Sequence, residues 1–382
     1  MQIRICRDEK MNMMFVEDCC EILDSMRIPI TAIDRKEGEY PYYGANGIQD
    51  YVADYIFDDE LVLLAEDGGN FGSKERPIAY RVSGKCWVNN HAHVLKPKVG
   101  LDVDYLCYSL MFYKVDGMVN GVTRQKLTQA AMRKMQIPLR CMEEQKHIVD
   151  ELNRIIKIKE QRQQELQLLD DLIKARFVEM FGNPVANDRG WNTLPLENAC
   201  KSIVDCPHST PSYTNEDTDF MCIRTSIVKK NKILWDDIEY IPEDEFVKRI
   251  QRKKPEVGDI VYTREGAILG IAAIIDRDCN VALGQRSMLL SPDIDKCTSE
   301  FVCVAMNSDS FLDNVLKGVS GSASPHINVG DIKAFRMIMP PVELQKQFSD
   351  FVKQVDKSKV AVQKALDETQ KLFDSLMQRY FG

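Results

Sequence analysis

Apolar residues recur along this chain in two contrasting patterns. Short continuous runs such as Glu60–Ala65 (ELVLLA) and Asp259–Tyr262 (DIVY) end in turn residues, which predicts buried strands. Two long stretches, Glu143–Gly182 and Glu343–Gly382, instead carry a narrow stripe. Both are rich in Glu, Gln, Lys, Leu and Ala and free of Gly and Pro until they end, a composition that predicts long helices. In the first, the stripe runs through Ile148, Leu152, Ile155, Lys159, Arg162, Leu166, Leu169, Ile173, Arg176 and Met180. Adding 200 gives the second: Phe348, Val352, Val355, Lys359, Val362, Leu366, Thr369, Phe373, Leu376 and Tyr380. Alternating steps of four and three residues are the a/d repeat of a coiled coil. A stripe that narrow must be covered by another helix, and the partner it predicts is the other copy. Lys159 and Lys359 interrupt the two stripes at matching places, where a polar residue can set register.

The repetition continues outside the helices. The offset of 200 holds at Gly121/Gly321, Glu143/Glu343, Gln145/Gln345 and Gly182/Gly382, and falls to 180 at Glu17/Glu197 and Cys20/Cys200. The chain is therefore read as a tandem duplication of one globular segment plus one helix, with about twenty residues inserted in the second globular segment. The expected organisation is α+β: a globular domain at 1–140, a helix at 141–182, a second globular domain at 183–342 and a second helix at 343–382.

Within the first segment, Phe15–Ser25 reads as a short strand or the start of a helix. Glu39–Val52, rich in Tyr, Gly and Asn, reads as a turn-dense surface loop. Ile78–Val82 and Cys86–Val88 read as two strands about Ser83-Gly84-Lys85, Val94–Lys96 as a further strand, and Asp104–Tyr113 as a helix. In the second segment Phe246–Lys254 carries five basic residues in nine. The turn after DIVY, Thr263-Arg264-Glu265-Gly266, corresponds to the turn after ELVLLA.

Length and composition narrow the class. The 382 residues suffice for two cores, and 44% hydrophobic content is ordinary for a soluble protein. No run approaches 18 apolar residues, and Met1–Asn12 lacks the apolar stretch of a signal peptide. With 12 cysteines and no CxxC pair, a cytoplasmic protein with reduced, mostly buried thiols is expected, without membrane attachment. A net charge of −8 leaves nucleic-acid binding to local basic faces.

Enzyme signatures are sparse. No GxxxxGK[ST] is present. Met339-Pro340-Pro341-Val342 lacks the leading Asn or Asp of an amino-methyltransferase tetrapeptide, and the acids near Pro292-Asp293 are not spaced for a nuclease. His91 and His93 could share a metal with Cys86 nearby, but the second copy has Gly284-Gln285-Arg286-Ser287 there, which favours hydrogen-bonding histidines. Donors suited to phosphates and base edges gather in the loops. They are Tyr42, Tyr43, Asn46, Asn70, Asn89, Asn90, His91, Thr123, Arg124, Gln125 and Lys126 in the first segment, and Arg264, Gln285, Arg286, Ser322, Ser324, His326 and Asn328 in the second.

These features together resemble the specificity (S) subunit of type I restriction-modification systems. The resemblance rests on Met180-Phe181-Gly182-Asn183-Pro184 followed by Gly190-Trp191, on Tyr42–Ile48, Glu66-Asp67-Gly68 and Trp87–His93, on the EEQK and ELQK helix starts, and on the duplication. One departure is that the family's double proline before the helix stands only at Pro340-Pro341, the first copy having Ile137-Pro138-Leu139. The resemblance implies two target-recognition domains, separated by two helices packed antiparallel, each domain reading half of a bipartite, asymmetric site in double-stranded DNA. It also implies a non-catalytic subunit whose partners are two modification (M) subunits and the restriction (R) subunits. S-adenosylmethionine, ATP and Mg would belong to those partners, with no cofactor here. Two alternatives stay open: a stand-alone DNA methyltransferase or nuclease with built-in recognition, and a coiled-coil adaptor that does not touch DNA.

Overall fold

The computed structural model describes residues 12–73, 75–121, 124–319 and 325–382. It divides into two compact units, Met1–Arg162 with Ala365–Gly382, and Gln163–Lys364.

The first unit is built on a six-stranded sheet. Its strands are β1 (Cys20–Ile22), β2 (Glu37–Gly44), β3 (Gly47–Val52), β4 (Phe57–Ala65), β5 (Ala79–Val88) and β6 (Ala92–Pro97), in the order β1-β6-β4-β5-β2-β3. All pairs are antiparallel except β2 with β5. Central β4 is buried on both faces, which explains its unbroken apolar run. Val62 and Leu64 join the core shared with helix α1 (Val103–Met111), while Leu61 and Leu63 face Val82, Val88 and Val94. The 40-residue helix α2 (Met142–Phe181) begins in this unit.

In the second unit β7 (Cys200–Asp205), β10 (Ile260–Thr263), β11 (Ala272–Ile274) and β13 (Ser287–Pro292) form a sheet ordered β7-β13-β10-β11. Beside it β8 (Phe220–Ile223), β9 (Glu239–Tyr240) and β12 (Asn280–Leu283) form a three-stranded sheet in the order β9-β8-β12. Helix α3 (Glu243–Arg249) packs against the small sheet, helix α4 is Ser299–Asn307, and α5 (Val342–Phe381) is the second 40-residue helix. Ile260 and Tyr262 face the helical core and Val261 the other side, the same alternation as in β4.

Every stripe position predicted from the heptad spacing is buried or half-buried. Within the first unit Ile148, Leu152 and Ile155 share a core with Phe373 and Leu376. Lys159 donates to the Gln370 side chain and lies over the Phe373 ring. Tyr380 donates to Glu151. Rising numbers in α2 meet falling numbers in α5, so the pairing is antiparallel. Within the second unit Phe177 packs on Phe181, Phe301 and Phe348 with ring centroids 5.1–5.6 Å apart, and Lys359 lies 2.6 Å from Asp170. Lys159 with Gln370 and Lys359 with Asp170 are the same contact repeated at an offset of 200.

Two local expectations change. Glu39–Val52 is not a loop but the β2–β3 hairpin, closed between Gly44 and Gly47, the latter at φ 106°. Its glycines serve the turn, and its tyrosines serve a strand that tertiary contacts cover. Ala79–Val88 is a single strand rather than two, with Gly84 still paired opposite Asp59. Of the basic run Phe246–Lys254, Arg249 is buried and bonded to Glu245 and to the carbonyls of Leu283 and Ser209. Among the described residues, all the cysteines are free and all but Cys141 and Cys279 are buried.

The EEQK and ELQK starts have a common physical cause. Gln145 accepts from the Asp102 amide and donates to the carbonyls of Gly100 and Arg140. Gln345 accepts from the Thr298 amide and donates to Lys296 and Pro340. Asp102 and Thr298 are the N-caps of α1 and α4, so one fully buried glutamine in each unit ties the long helix to the start of the short one. Replacing Gln345 with Leu leaves the half-buried Thr298 amide without its acceptor. It is expected to cost about 2 kcal/mol, read as a lower urea midpoint at unchanged m-value.

Candidate nucleic-acid interface

In both units the central strand ends in a turn on which two other loops close, and the main chain makes the same three bonds each time. The Glu66 amide donates to the His91 carbonyl (2.8 Å), and the Arg264 amide to that of Arg286 (3.0 Å). The Leu127 amide donates to Glu66 (2.7 Å), and that of Ile327 to Arg264 (2.9 Å). The Gly68 amide reaches Gln125 (3.3 Å), and that of Gly266 reaches Pro325 (3.2 Å). Bridges pair Asp67 with Lys126 and Glu265 with His326. Gly68 and Gly266 sit at φ 63° and 92°, conformations an L side chain resists, which accounts for the glycine after the acid in both turns. A backbone cradle is thus duplicated while its side chains are not.

In the first unit the half-buried acids hold His91, Arg124 and Lys126 on their outer side and Arg27 on their inner side. Asp67 holds His91 Nδ1 at 2.6 Å and Arg124 at 3.0 Å, and Glu66 holds Lys126 at 2.9 Å and Arg27 at 2.7 Å. The Arg124 side chain remains 61% exposed. The Asn46 side chain joins from the hairpin, donating to the Gly68 carbonyl at 2.9 Å. Cations steadied by half-buried carboxylates arrive at a phosphate or base edge with less disorder to lose.

Below lies a buried network. Asp24 accepts from the Val94 amide and Gln129, and lies 2.7 Å from His93 Nδ1; His93 Nε2 lies 2.9 Å from the Leu127 carbonyl. Burial pushes the Asp24 carboxyl up, but hydrogen bonds from and the charge of His93, with the Val94 amide and Gln129, outweigh it and hold the group below the usual range. For Glu66 burial again opposes, and Arg27 and Lys126 prevail in the same direction. Asp24, Glu66 and His93 are the one group among the described residues whose ligand atoms could surround a metal ion. Arg27, 2.7 Å from Glu66 and 3.5 Å from Asp24, already supplies positive charge there. His91 points to a different partner, so the two histidines do not converge on one ion.

The second unit uses other side chains. Arg264 is buried (6% exposed), with Nε 3.0 Å and Nη2 3.4 Å from the Asp205 carboxylate. This corrects the expectation that it offers its donors to DNA; they hold the turn. Arg286 stands exposed beside Glu265, His326 is half-buried at the bridge, and Gln285 accepts from Thr210. Asn328 is exposed and bonds Asp331. Thr123, Ser322 and Ser324 lie outside the described residues.

The remaining predicted residues fall into two sets. Asn90, Gln125 and half-exposed Asn70 lie on the loops around the cradle. Tyr42 is a correction: it is 1% exposed, its hydroxyl bonded to the Ile30 backbone and its ring under Arg35. Asn89 is buried too and orients its loop, accepting from the His91 amide and donating to Gln49. Tyr43 is half-buried against Tyr80. The acids Glu66, Asp67, Asp205 and Glu265 were not anticipated, although an acid before glycine after each central strand was visible in both copies.

A sequence profile described as "Type I restriction modification DNA specificity domain" matches residues 8–168 and 190–369, one match per repeat. The chain belongs to the family of type I restriction-modification specificity subunits. It is 37% identical over 134 residues to a Haemophilus influenzae protein assigned as a type I restriction enzyme specificity subunit; that match covers 35% of this chain and 34% of the relative. To the MjaVIII specificity subunit of Methanocaldococcus jannaschii it is 22% identical over 361 residues, 86% of this chain and 82% of that one. Its fold matches the crystal structure of the S subunit from M. genitalium at a TM-score of 0.55 and 13% identity, over 100% of this chain and 99% of the other. Members of this family are the DNA-recognition component rather than the catalytic one. No described helix is long and apolar enough to cross a membrane.

Because the folded Asp24 and Glu66 carboxyls titrate below their unfolded values, their contribution to stability is present above about pH 5 and is lost as pH falls through the lowered values. The protection factor of the Val94 amide, which donates to Asp24, is expected to fall over that acid range. Asp24→Asn is expected to flatten this dependence and to cost about 2 kcal/mol at pH 7.

Proposed function

We propose that each unit of this specificity subunit reads one half of a bipartite, asymmetric sequence in double-stranded DNA, and that α2 and α5 set the gap between the halves. In this reading M subunits, carrying S-adenosylmethionine, methylate adenine where the subunit directs them. R subunits, with ATP and Mg, cleave unmodified DNA. The subunit itself makes and breaks no bond.

The observation that carries this reading is the duplicated cradle. One backbone arrangement, repeated with different side chains, suits a pair of readers that bind the same polymer at different letters. His91, Arg124 and Lys126 border the first; Arg286 and His326 border the second. Forty residues at about 1.5 Å each make a rod of roughly 60 Å, long enough to relate two sites one or more DNA turns of ~34 Å apart. The heptad stripe makes that length adjustable in steps.

Two experiments test it. Adding one heptad after Arg162 in α2 and one after Leu366 in α5, which the Lys159–Gln370 contact sets opposite, is expected to widen the gap by about three base pairs. Both half-sites should stay unchanged in methylome sequencing with the M partner. An altered half-site with an unchanged gap would show that the helices do not measure. With its net charge of −8, the isolated chain is expected to bind DNA weakly at physiological salt and tightly only with M subunits present. Tight, specific gel shifts by the chain alone would refute that division of labour.

A further inference from the structure

Three non-glycine residues among those described adopt positive φ: Asn187, Asn231 and Arg286, the last at 73°. Asparagine tolerates the left-handed region because its short amide bonds locally. In an arginine the Cβ crowds the neighbouring carbonyl, so the conformation persists only where the surroundings impose it. Here they do. The Arg286 carbonyl is held by the Arg264 amide, and the Gly284 amide is held by the Ile223 carbonyl at 2.9 Å. With the main chain fixed on both sides of the turn, the guanidinium is left outside, 51% exposed.

The two arginines of this tip have opposite fates. Arg264 spends its donors on Asp205. Arg286 has a long contact of 3.9 Å to Glu265, which steadies it without saturating it. At the equivalent backbone position of the first unit stands His91, drawn to 2.6 Å by Asp67. The same bond in the cradle thus presents an imidazole in one unit and an extended guanidinium in the other.

We propose that Arg286 is a specificity-determining residue of the second unit and reads a guanine in its half-site. The proposal rests on the DNA-reading role above. Two parallel N–H groups match guanine O6 and N7, and one such bidentate pair discriminates roughly ten- to 100-fold against other bases. A contact to phosphate would strengthen binding without choosing a base.

The test is the methylome of Arg286→Gly and Arg286→Lys with the M partner, alongside the melting temperature of each variant. Glycine adopts this φ without strain, so Arg286→Gly is expected to melt at the same or a higher temperature. The first half-site and the gap should be unchanged, and one guanine of the second half-site should become degenerate, its preference falling roughly ten- to 100-fold. Arg286→Lys keeps the charge without the fork and is expected to lose the preference as well. An unchanged motif, or a uniform fall in methylation with the motif intact, overturns the proposal and leaves the wild-type bipartite recognition standing. A wild-type complex that yields no bipartite motif overturns both.

Discussion

The structure depends on covering two narrow apolar stripes. Forty-residue helices with a mostly polar surface do not hold together by propensity alone; each needs its stripe removed from water. Within each unit the stripes cover one another and the globular core completes the cover. Ile148, Leu152 and Ile155 meet Phe373 and Leu376 in the first unit; Ile173, Phe177 and Phe181 meet Phe348 and Val352 in the second. Fully burying a phenylalanine contributes about 1.5–3 kcal/mol, so the Phe177, Phe181 and Phe348 cluster alone matters on the scale of a domain's net stability. Since α2 comes from the first repeat and α5 from the second, each core contains residues of both repeats. Neither repeat carries a finished core of its own.

The same constraint explains how the buried glutamines act. Gln145 and Gln345 lie at the N-terminal ends of the long helices and bind the amides that start α1 and α4. They convert the position of a helix axis into the position of the layer beside the sheet, and through β4 and β10 into the position of the tip turns.

Legibility in the sequence followed physical range. The stripes, the duplication and the buried central strands rest on local periodicity, and periodicity shows in one chain without any partner. The β2–β3 hairpin did not show, because Tyr42 is buried by Ile30 and Arg35, contacts its own tyrosine-rich sequence does not reveal. Arg264 read as a free cation because its partner Asp205 is 59 residues away. Among the polar loop residues, those buried in the cradle (Arg264, Asn89) and those left exposed at its rim (Arg124, Arg286) have similar chemistry and differ only in tertiary contacts. The acids under the tips went unnoticed for the same reason: an acidic surface loop is ordinary until its cations are in place.

The bonds that both tips share run from main chain to main chain. Such bonds are indifferent to what the side chains are. A surface framed this way can exchange its lettering by point substitution while the frame keeps its shape, so one scaffold can host a changing alphabet, and the two ends of the chain can drift apart in what they spell.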